Sequence, residues 1–479
     1  MRFSDNDQVM FTPHNIQMIK ESAFMIIEKI GMRVIDETVC RELLGSGLTL
    51  VNRRFTASAE MADSFLDNII KKENESKKII LDNNDHTQIH CNLDGWINNY
   101  PHSYYDPETN QITPYDTNSL IKMTAFCNRV GRKFEFSTNV PGYPKDVPPI
   151  CEAISRYVVG NKYLDKGTYP EPMGRYSAKY LFEMSNIMGH RISSLPLYLS
   201  TPLTLGDESF FTILENQKHL DSVHVCSMPS FGANTPLSIS GSIALILAED
   251  LLGAIIIDRL TGLDTYIGIS LQPFDFKDIN QTFGTPEKFM LHWICHNFCN
   301  ILFDRSNHLN TMPIHTQTMH PDAQASGEKA MAMVAGYMKL KPGESLTYRG
   351  MGILGMDEIF SPAQLLIDAE LLQYMRRIDA GYEIDQIPDN FIDEIYDGID
   401  TGFISSDRTV SHYKNLMYHS NLFTRANLNR QQNNHMHSTE KRAAIDAKHE
   451  LIRESEMVLE SNLAEALDIL LKKAIENAN

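Results

Sequence analysis

The stretch PIHTQTMHPDAQASGEKAMAMVAGYMK, residues 313–339, decides the fold class of this chain. Its first residues favour a short strand, and residues 323–339 carry the spacing of apolar side chains that is typical of a helix. Asp322 lies where it would cap that helix. The next segment, Ser345–Gly350, is again typical of a strand. Strand, helix and strand in this order form the repeating unit of a parallel sheet.

The same alternation extends backward to about residue 119. The predicted strands are Lys133–Thr138, Lys162–Thr168, Leu195–Ser200, Ser222–Ser227, Leu263–Ser270, Pro313–Gln317 and Ser345–Gly350. The predicted helices are 148–160, 174–189, 207–219, 236–261, 285–303, 323–339 and 361–380. These seven units are one short of an α/β TIM (β/α)8 barrel, which is the fold that we favour. A doubly wound sheet stays open, although the sequence has neither a GxGxxG motif nor a P-loop.

The chain divides into three parts on this basis. Residues 1–118 form an N-terminal extension of helices, loops and strands that packs on the barrel. Residues 119–425 form the barrel, which is the catalytic domain. Residues 426–479 form a polar C-terminal segment and a charged helix, which we place at 441–476.

Composition restricts the partners and the compartment. The formal net charge of -18 argues against nucleic acid and against a polybasic membrane anchor. The seven cysteines include no CxxC pair, which is typical of a reducing compartment. The first ten residues lack the basic stretch followed by an apolar stretch that marks a secretory signal peptide. The sequence therefore predicts a cytoplasmic protein.

The most apolar stretch, Ile239–Leu260, is interrupted by Glu249, Asp250 and Asp258. Charged residues at the centre of a membrane helix are costly, so we expect a buried helix of the protein core.

The active site of a parallel barrel lies at the carboxyl ends of its strands. The residues there are polar and rich in amides, and they include Gln317, His320, Tyr348 and Arg349. Arg349 is the most attractive cation for a ligand carboxylate, because its guanidinium suits bidentate binding. Acidic residues are scarce among them, and His292 and His296, four residues apart, have no further ligand at metal spacing. We therefore predict no metal site.

Several segments, taken in their order along the chain, resemble the trimethylamine methyltransferase family. They are Ile30-Gly31-Met32-Arg33-Val34, Asp106-Pro107-Glu108-Thr109, Ser200-Thr201-Pro202-Leu203-Thr204, Asn234-Thr235-Pro236-Leu237-Ser238, Asp322-Ala323-Gln324-Ala325 with Glu328-Lys329, Ser361-Pro362-Ala363-Gln364-Leu365, and Asp397-Gly398 to Leu422-Phe423. The founding members carry pyrrolysine, whereas this chain consists of the twenty standard residues. It therefore resembles the branch without pyrrolysine, which includes methyltransferases of glycine betaine and other quaternary amines.

The resemblance implies a TIM barrel that moves a methyl group from a quaternary amine, such as glycine betaine, to the Co(I) of a cognate corrinoid protein. The partner would supply the corrinoid (cobalamin), so the chain itself would bind no cofactor. An aromatic cage would hold the ammonium group by cation–π attraction. Its candidate residues are Trp96, Tyr104, Tyr105, Phe274, Phe276 and Tyr348.

Arg349 or His320 would then hold a carboxylate, with Gln317 nearby. Two alternatives stay open: a betaine-binding barrel without turnover, and a lyase that forms a Schiff base through Lys162 or Lys166. The sequence also leaves a homo-oligomer open.

Overall fold

The computed structural model describes residues 10–81, 91–305, 311–382, 386–387, 389–433 and 437–478. Residues 1–9, on which the expectation of no signal segment largely rests, lie outside the described residues.

The N-terminal part forms a helical layer with short strands. Its elements are α1 (Pro13–Lys29), β1 (Arg33–Val34), α2 (Glu37–Leu43), β2 (Thr49–Val51), β3 (Arg54–Thr56) and α3 (Ala59–Leu81). The Thr12 hydroxyl caps α1 by accepting a hydrogen bond from the Asn15 amide, at 3.2 Å. Ile19, Ala23 and Ile27 of α1 are buried at helical spacing, so this face anchors the layer on the rest of the protein.

The central part alternates strands and helices. Its elements are β4 (Asn92–Trp96), β5 (Ser103–Asp106), β6 (Gln111–Pro114), α4 (Thr117–Phe134), α5 (Glu152–Tyr163), α6 (Arg175–Ile187), β7 (Ser194–Leu199), β8 (Thr204–Leu205), α7 (Glu208–Asn216), β9 (Ser222–Ser227), α8 (Ile239–Thr261), β10 (Asp264–Ile267), β11 (Phe274–Asp275), β12 (Asn280–Gln281), α9 (Pro286–Leu302), β13 (Thr311–Pro313), α10 (Ala323–Tyr337), β14 (Ser345–Arg349), β15 (Ile353–Leu354), β16 (Ile359–Phe360) and α11 (Pro362–Ala380). Short 3-10 turns precede α5 and follow α7.

The C-terminal part is helical. It consists of α12 (Phe391–Thr401), α13 (Asp407–Leu416), α14 (Leu428–Asn433), α15 (Thr439–Leu451) and α16 (Ser461–Ala478). The single helix that we predicted at 441–476 is therefore wrong, because α15 and α16 are separate helices with residues 452–460 between them. α15 packs on α11, and α16 packs on α5 and α6.

Two parallel sheets form the centre of the protein. One has the strand order β13-β14-β4 and is extended by a parallel bridge from Trp96 to Ser137. The other has the order β10-β9-β7 and is extended by a bridge from Ser230 to Gln272. Within the described residues, no strand pairing joins the two sheets. The fold is thus a mixed α/β fold with parallel strands and intervening helices.

The parallel sheet begins before residue 119, where the sequence placed the start of the barrel. β4 pairs with β14 over its whole length, from Asn92 with Ser345 to Trp96 with Arg349. It therefore supplies a parallel strand that the sequence analysis did not find, and its residues had been placed in the N-terminal extension.

Two predicted strands are wrong. Lys133–Thr138 overlaps the end of α4, where Phe134 continues the apolar stripe of Val130 and Glu135 turns the chain with φ 55°. Only Ser137 of this segment pairs with a neighbouring strand. Lys162–Thr168 overlaps the end of α5 and then turns at Gly167, whose φ is +61°. Over so few positions, the alternation of apolar and polar residues does not distinguish a strand from the end of a helix.

The long apolar helix α8 is a core helix, as predicted. It packs on α1, β9 and β10, and its residues from Ser242 to Ile257, except the half-buried Leu245, are buried. Its length and composition alone would suffice to cross a membrane, but 78% of its most apolar window is buried inside the protein. Glu249 is accommodated in the core because it accepts hydrogen bonds from the Thr201 hydroxyl and the Leu203 amide.

Candidate active site

Trp96 and Arg349 lie side by side at the carboxyl ends of two paired strands. They are partners in the parallel register of β4 and β14, so both side chains lie on the same face of the sheet. Leu93 and Leu346 alternate with them and are buried on the opposite face. Within the described part of the chain, the exposed Arg349 guanidinium makes no hydrogen bond or ion pair. This face therefore offers an available cation next to an indole ring.

Tyr348 does not share this face. It precedes Arg349 on the same strand, so its side chain lies on the opposite side of the sheet. It is fully buried, and its hydroxyl donates a hydrogen bond to the Met333 carbonyl oxygen of α10, at 3.2 Å. Tyr348 therefore supports the sheet from behind and is not a cage residue.

His315 and Asp357 lie close to Arg349. His315 Nε2 is 3.7 Å from Asp357 Oδ2, and Asn98 Nδ2 donates to the same oxygen at 3.3 Å. Burial, and then the cations Lys288, Lys329 and Arg349, hold the pKa of His315 well below its usual range, so the ring is neutral. Burial raises the pKa of Asp357. His315 Nδ1 and Asp357 Oδ1 are buried and have no hydrogen-bond partner among the described residues.

Three tyrosines lie near one another, and one of them, Tyr100, is close enough to Arg349 to feel its charge. Tyr100 follows β4 in the chain, Tyr198 lies on β7, and Tyr143 lies in the loop after α4. Partial burial and then Glu171 raise the pKa of Tyr100, whereas Arg349 acts in the opposite direction. Burial raises the pKa of Tyr143 to about 12. Since charge effects weaken with distance, Tyr100 lies within electrostatic range of both Glu171 and Arg349.

Tyr198 connects these tyrosines to the second sheet. Partial burial of its ring raises its pKa, and Tyr100, Cys226 and Glu171 add to the shift. Tyr198 alternates on β7 with buried leucines and is 45% exposed, so it lies on the open face of its sheet. We call Tyr100, Tyr143, Tyr198 and Glu171 the acidic–aromatic end of the site. Aromatic rings together with a carboxylate attract a ligand that carries a positive charge.

Glu171 is held in place by its neighbours. Arg156, which is fully buried, contacts Glu171 Oε2 with Nη1 at 3.3 Å, and Asn99 also donates to this oxygen. The Arg156 guanidinium lies over the Tyr143 ring, 5.6 Å from its centroid. Arg156 therefore holds Glu171 and Tyr143 of the acidic–aromatic end in position.

Lys288 is a second cation close to His315 and Asp357. It is in the first turn of α9 and is 7% exposed. Its Nζ donates to the Gln272 amide oxygen and lies over the Phe283 ring, 4.9 Å from the centroid. Burial lowers the pKa of Lys288 to about 8. We call Lys288 and Arg349 the cationic end of the site.

The motif residues around 322–329 and 361–368 position the loop after β14. Lys329 Nζ donates to the Gly350 carbonyl and to Asp368 Oδ2, both at 2.7 Å. The same Asp368 oxygen accepts a hydrogen bond from the Gly352 amide, and Gln364 donates to the other oxygen at 2.8 Å. Lys329 and Asp368 are fully buried. These residues therefore act on the site through the backbone that carries Arg349.

Neighbouring motif residues have structural roles of the same kind. Asp322 caps α10, as the sequence predicts, by accepting a hydrogen bond from the Ala325 amide at 3.1 Å. Glu328 accepts hydrogen bonds from the Thr316 hydroxyl and from Gln324. Gln317 accepts one from the Phe283 amide at 3.1 Å, so it connects the loop after β13 to the segment before α9.

The other residues predicted from the sequence lie apart from Arg349. His320 is exposed and packs edge-on against Tyr105, with ring centroids 5.7 Å apart, beside a separate surface cavity of about 620 Å³. Tyr104 packs on Tyr115. Phe274 contacts Phe276 within the hairpin of β11 and β12. Of the predicted set, the structure thus places Trp96 and Arg349 together, with Gln317 in the adjoining loop.

The sequence analysis missed Tyr100, Tyr143, Tyr198, Lys288 and Asp357. A signal existed for Tyr198, because it alternates with leucines inside a predicted strand and so faces away from the core. Within the described residues, no group of three or more His, Cys, Asp or Glu residues could hold a metal ion.

The sequence model of the trimethylamine methyltransferase family matches residues 190–477, more than half of the chain. The chain belongs to this family. Trimethylamine methyltransferase MttB2 of Methanosarcina mazei is 26% identical over 195 residues, which are 40% of this chain and 38% of the relative. Trimethylamine methyltransferase MttB of Methanosarcina barkeri is 25% identical over 197 residues, 41% of this chain and 38% of the relative. The alignments thus span less than two fifths of the curated relatives.

Among solved structures, the monomethylamine methyltransferase MtmB of Methanosarcina barkeri is similar over 93% of both chains. The sequence identity is 12% and the TM-score is 0.40. A TM-score of this size is too low to establish a shared fold.

Proposed function

We propose that this chain is a methyltransferase that moves a methyl group from a quaternary amine, glycine betaine or a related betaine, to the Co(I) of a cognate corrinoid protein. Family membership supports the reaction class. The observation that carries the substrate is Arg349, unpaired among the described residues and beside Trp96. Tyr100 of the acidic–aromatic end is within electrostatic range of both Arg349 and Glu171. A zwitterion with a carboxylate and an ammonium group would match these two ends.

The chemistry needs little from the protein beyond position and charge. A quaternary ammonium group already carries its positive charge, so its leaving group is a neutral tertiary amine and no general acid is required. Each desolvated aromatic contact with the ammonium is worth up to about 2 kcal/mol. The corrinoid, when its carrier protein is bound, supplies the nucleophile. The side chains of this chain hold and orient the substrate.

We also propose that the two parallel sheets belong to one eight-stranded barrel, with β4 as its first strand. The pairing of β14 with β4 supports this, because it makes the last parallel strand a neighbour of the first, as closure requires. The corrinoid protein would then dock over the mouth, on the loops that follow residues 228, 272 and 350. We expect a contact of at least about 1,000 Å². In this proposal the chain is cytoplasmic and binds no corrinoid of its own.

Free cob(I)alamin tests the activity without the partner protein. The purified chain would be incubated with glycine betaine, carnitine, choline or trimethylamine, and methylation of cobalt would be followed by its absorbance change. We expect a betaine to be the fastest donor, and the Arg349→Ala variant to lose most of this rate. Faster methylation from trimethylamine would overturn the proposal.

A betaine-binding protein without turnover is the second candidate, because the two charged ends alone would bind a betaine. Calorimetry and the cobalamin assay separate the two: binding without methyl transfer to either free or protein-bound Co(I) supports the second candidate.

The Schiff-base alternative loses its structural basis. Lys162 lies on α5 and forms an ion pair with Asp468, at 2.7 Å, while Lys166 lies in the exposed loop after α5. Neither is on a strand. Borohydride treatment in the presence of substrate should therefore trap no adduct.

A further inference from the structure

Lys288 is a buried cation without an anionic partner in the part of the chain that the structure describes. There, its Nζ has no carboxylate oxygen within 4.0 Å, and its hydrogen-bond acceptor is the neutral amide of Gln272. An ammonium group has three N–H donors. One is used by Gln272, and the Phe283 ring lies below the charge. Since a buried, unpaired charge is costly, an anionic ligand group that reached Lys288 would remove this cost.

We propose that Lys288 is a second carboxylate-binding residue, which together with Arg349 selects zwitterionic quaternary amines over amines without an acid group. The inference rests on the proposed function of the same site.

Contacts place Lys288 and Arg349 around the same two residues. Phe283, below the Lys288 amine, lies beside His315 with ring centroids 5.2 Å apart. Gly350, the residue after Arg349, approaches His315 so closely that an added Cβ would be 3.0 Å from its ring carbon Cδ2. Both cations also affect the pKa of His315 and of Asp357. The two cations therefore flank one small polar region.

The charges of this region do not balance. Lys288 and Arg349 contribute two positive charges, His315 is neutral, and Asp357 contributes at most one negative charge. His315 Nδ1 and Asp357 Oδ1, which have no partner among the described residues, also border this region. A substrate carboxylate would neutralise the excess charge. Its ammonium group would then extend toward the acidic–aromatic end.

Calorimetric binding of three probes tests the role of Lys288. Glycine betaine carries both charges, choline lacks the carboxylate, and 3,3-dimethylbutanoate keeps the carboxylate but lacks the ammonium. We expect Lys288→Met to weaken glycine betaine and 3,3-dimethylbutanoate at least tenfold and to change choline less than twofold. Lys218→Met is the matched control, because Lys218 is an exposed lysine in the turn after α7, and it should leave the binding of all three probes unchanged.

The pH dependence of binding gives a readout that a purely structural lysine would not change. The groups around Lys288 are Asp357, His315, and the α9 residues Cys295 and His292. Burial lowers the pKa of His292 to about 4 and raises the pKa of Cys295 above its usual range, so neither titrates near pH 8. Wild-type affinity for 3,3-dimethylbutanoate should fall from pH 7 to pH 9. Lys288→Met should lose this slope, and Asp357→Asn should keep it.

Each outcome decides the inference. If Lys288→Met and Lys288→Gln both bind the two carboxylate probes as tightly as the wild type, Lys288 does not bind the carboxylate. Equal loss of choline would show a general collapse of the site and would also contradict the inference. If the wild type binds neither quaternary amine, the proposed function and the present inference both fail. If the wild type demethylates glycine betaine but Lys288→Met does so with unchanged affinity, only the present inference fails.

Discussion

Replacing Lys329 with Met should strongly destabilise the protein, because it leaves Asp368 as a buried carboxyl without a counter-charge. Both side chains are 0% exposed, and Lys329 Nζ is 2.7 Å from the carboxylate. Breaking a buried pair by removing one partner costs about 3–5 kcal/mol. We therefore expect a loss in this range at pH 7.

Urea unfolding of both proteins at pH 7 measures this loss. A lower affinity for glycine betaine should accompany the loss, because Lys329 also holds the Gly350 carbonyl.

Lys162→Met is the matched control. Lys162 also pairs with an aspartate at 2.7 Å, but its partner Asp468 is 53% exposed. Such a surface pair contributes at most about 1 kcal/mol. If Lys329→Met costs no more than this control, the buried pair does not support the loop after β14.

Three further outcomes are expected. Lys288→Met should stabilise the protein at pH 7 by up to roughly 3 kcal/mol, since the folded protein lowers the pKa of this lysine to about 8. Because the wild type gains stability between pH 8 and pH 10.5, where the unfolded chain binds more protons, urea unfolding should show this advantage disappearing toward pH 10. Calorimetry should show that Arg349→Ala weakens glycine betaine by one to two orders of magnitude and choline little. Trp96→Ala should weaken both ligands at least threefold; unchanged choline binding would exclude Trp96 from the cage.

Elements with a sustained pattern could be predicted from the sequence. The α8 helix and β14 lie within a few residues of their predicted bounds, because α8 has a long apolar run and β14 follows a clear helix. β4 could not be found in this way. Of its five residues, Asn92 and Asp94 are polar and only Leu93 is a buried aliphatic side chain, so the apolar run that marks a buried strand is absent.

Some residues of the site could be predicted from the sequence and others could not. Arg349 could be proposed because it is a cation at the end of a predicted strand. Trp96 could be proposed because an indole ring suits an ammonium group, although β4 itself was not predicted. Tyr348 was proposed with Arg349, although adjacent residues of one strand lie on opposite faces of the sheet. Asp357 had no signal in the sequence: it lies in a loop where Met356 and Asp357 both have positive φ, and only the folded chain places it near His315. Lys288 was missed because a lysine in a first helical turn is usually exposed.

The pairing of β4 with β14 also has a consequence for synthesis on the ribosome. Residue 96 pairs with residue 349, so the first parallel strand leaves the ribosome about 250 residues before its partner. At about 5–20 residues per second, roughly 10–50 s pass between the two. During this time one edge of β4 lacks its final hydrogen-bond partner, and an unpaired edge attracts other strands. The nascent chain is thus most exposed to aggregation while its central helices are being made, and a chaperone that covers this edge would raise its yield.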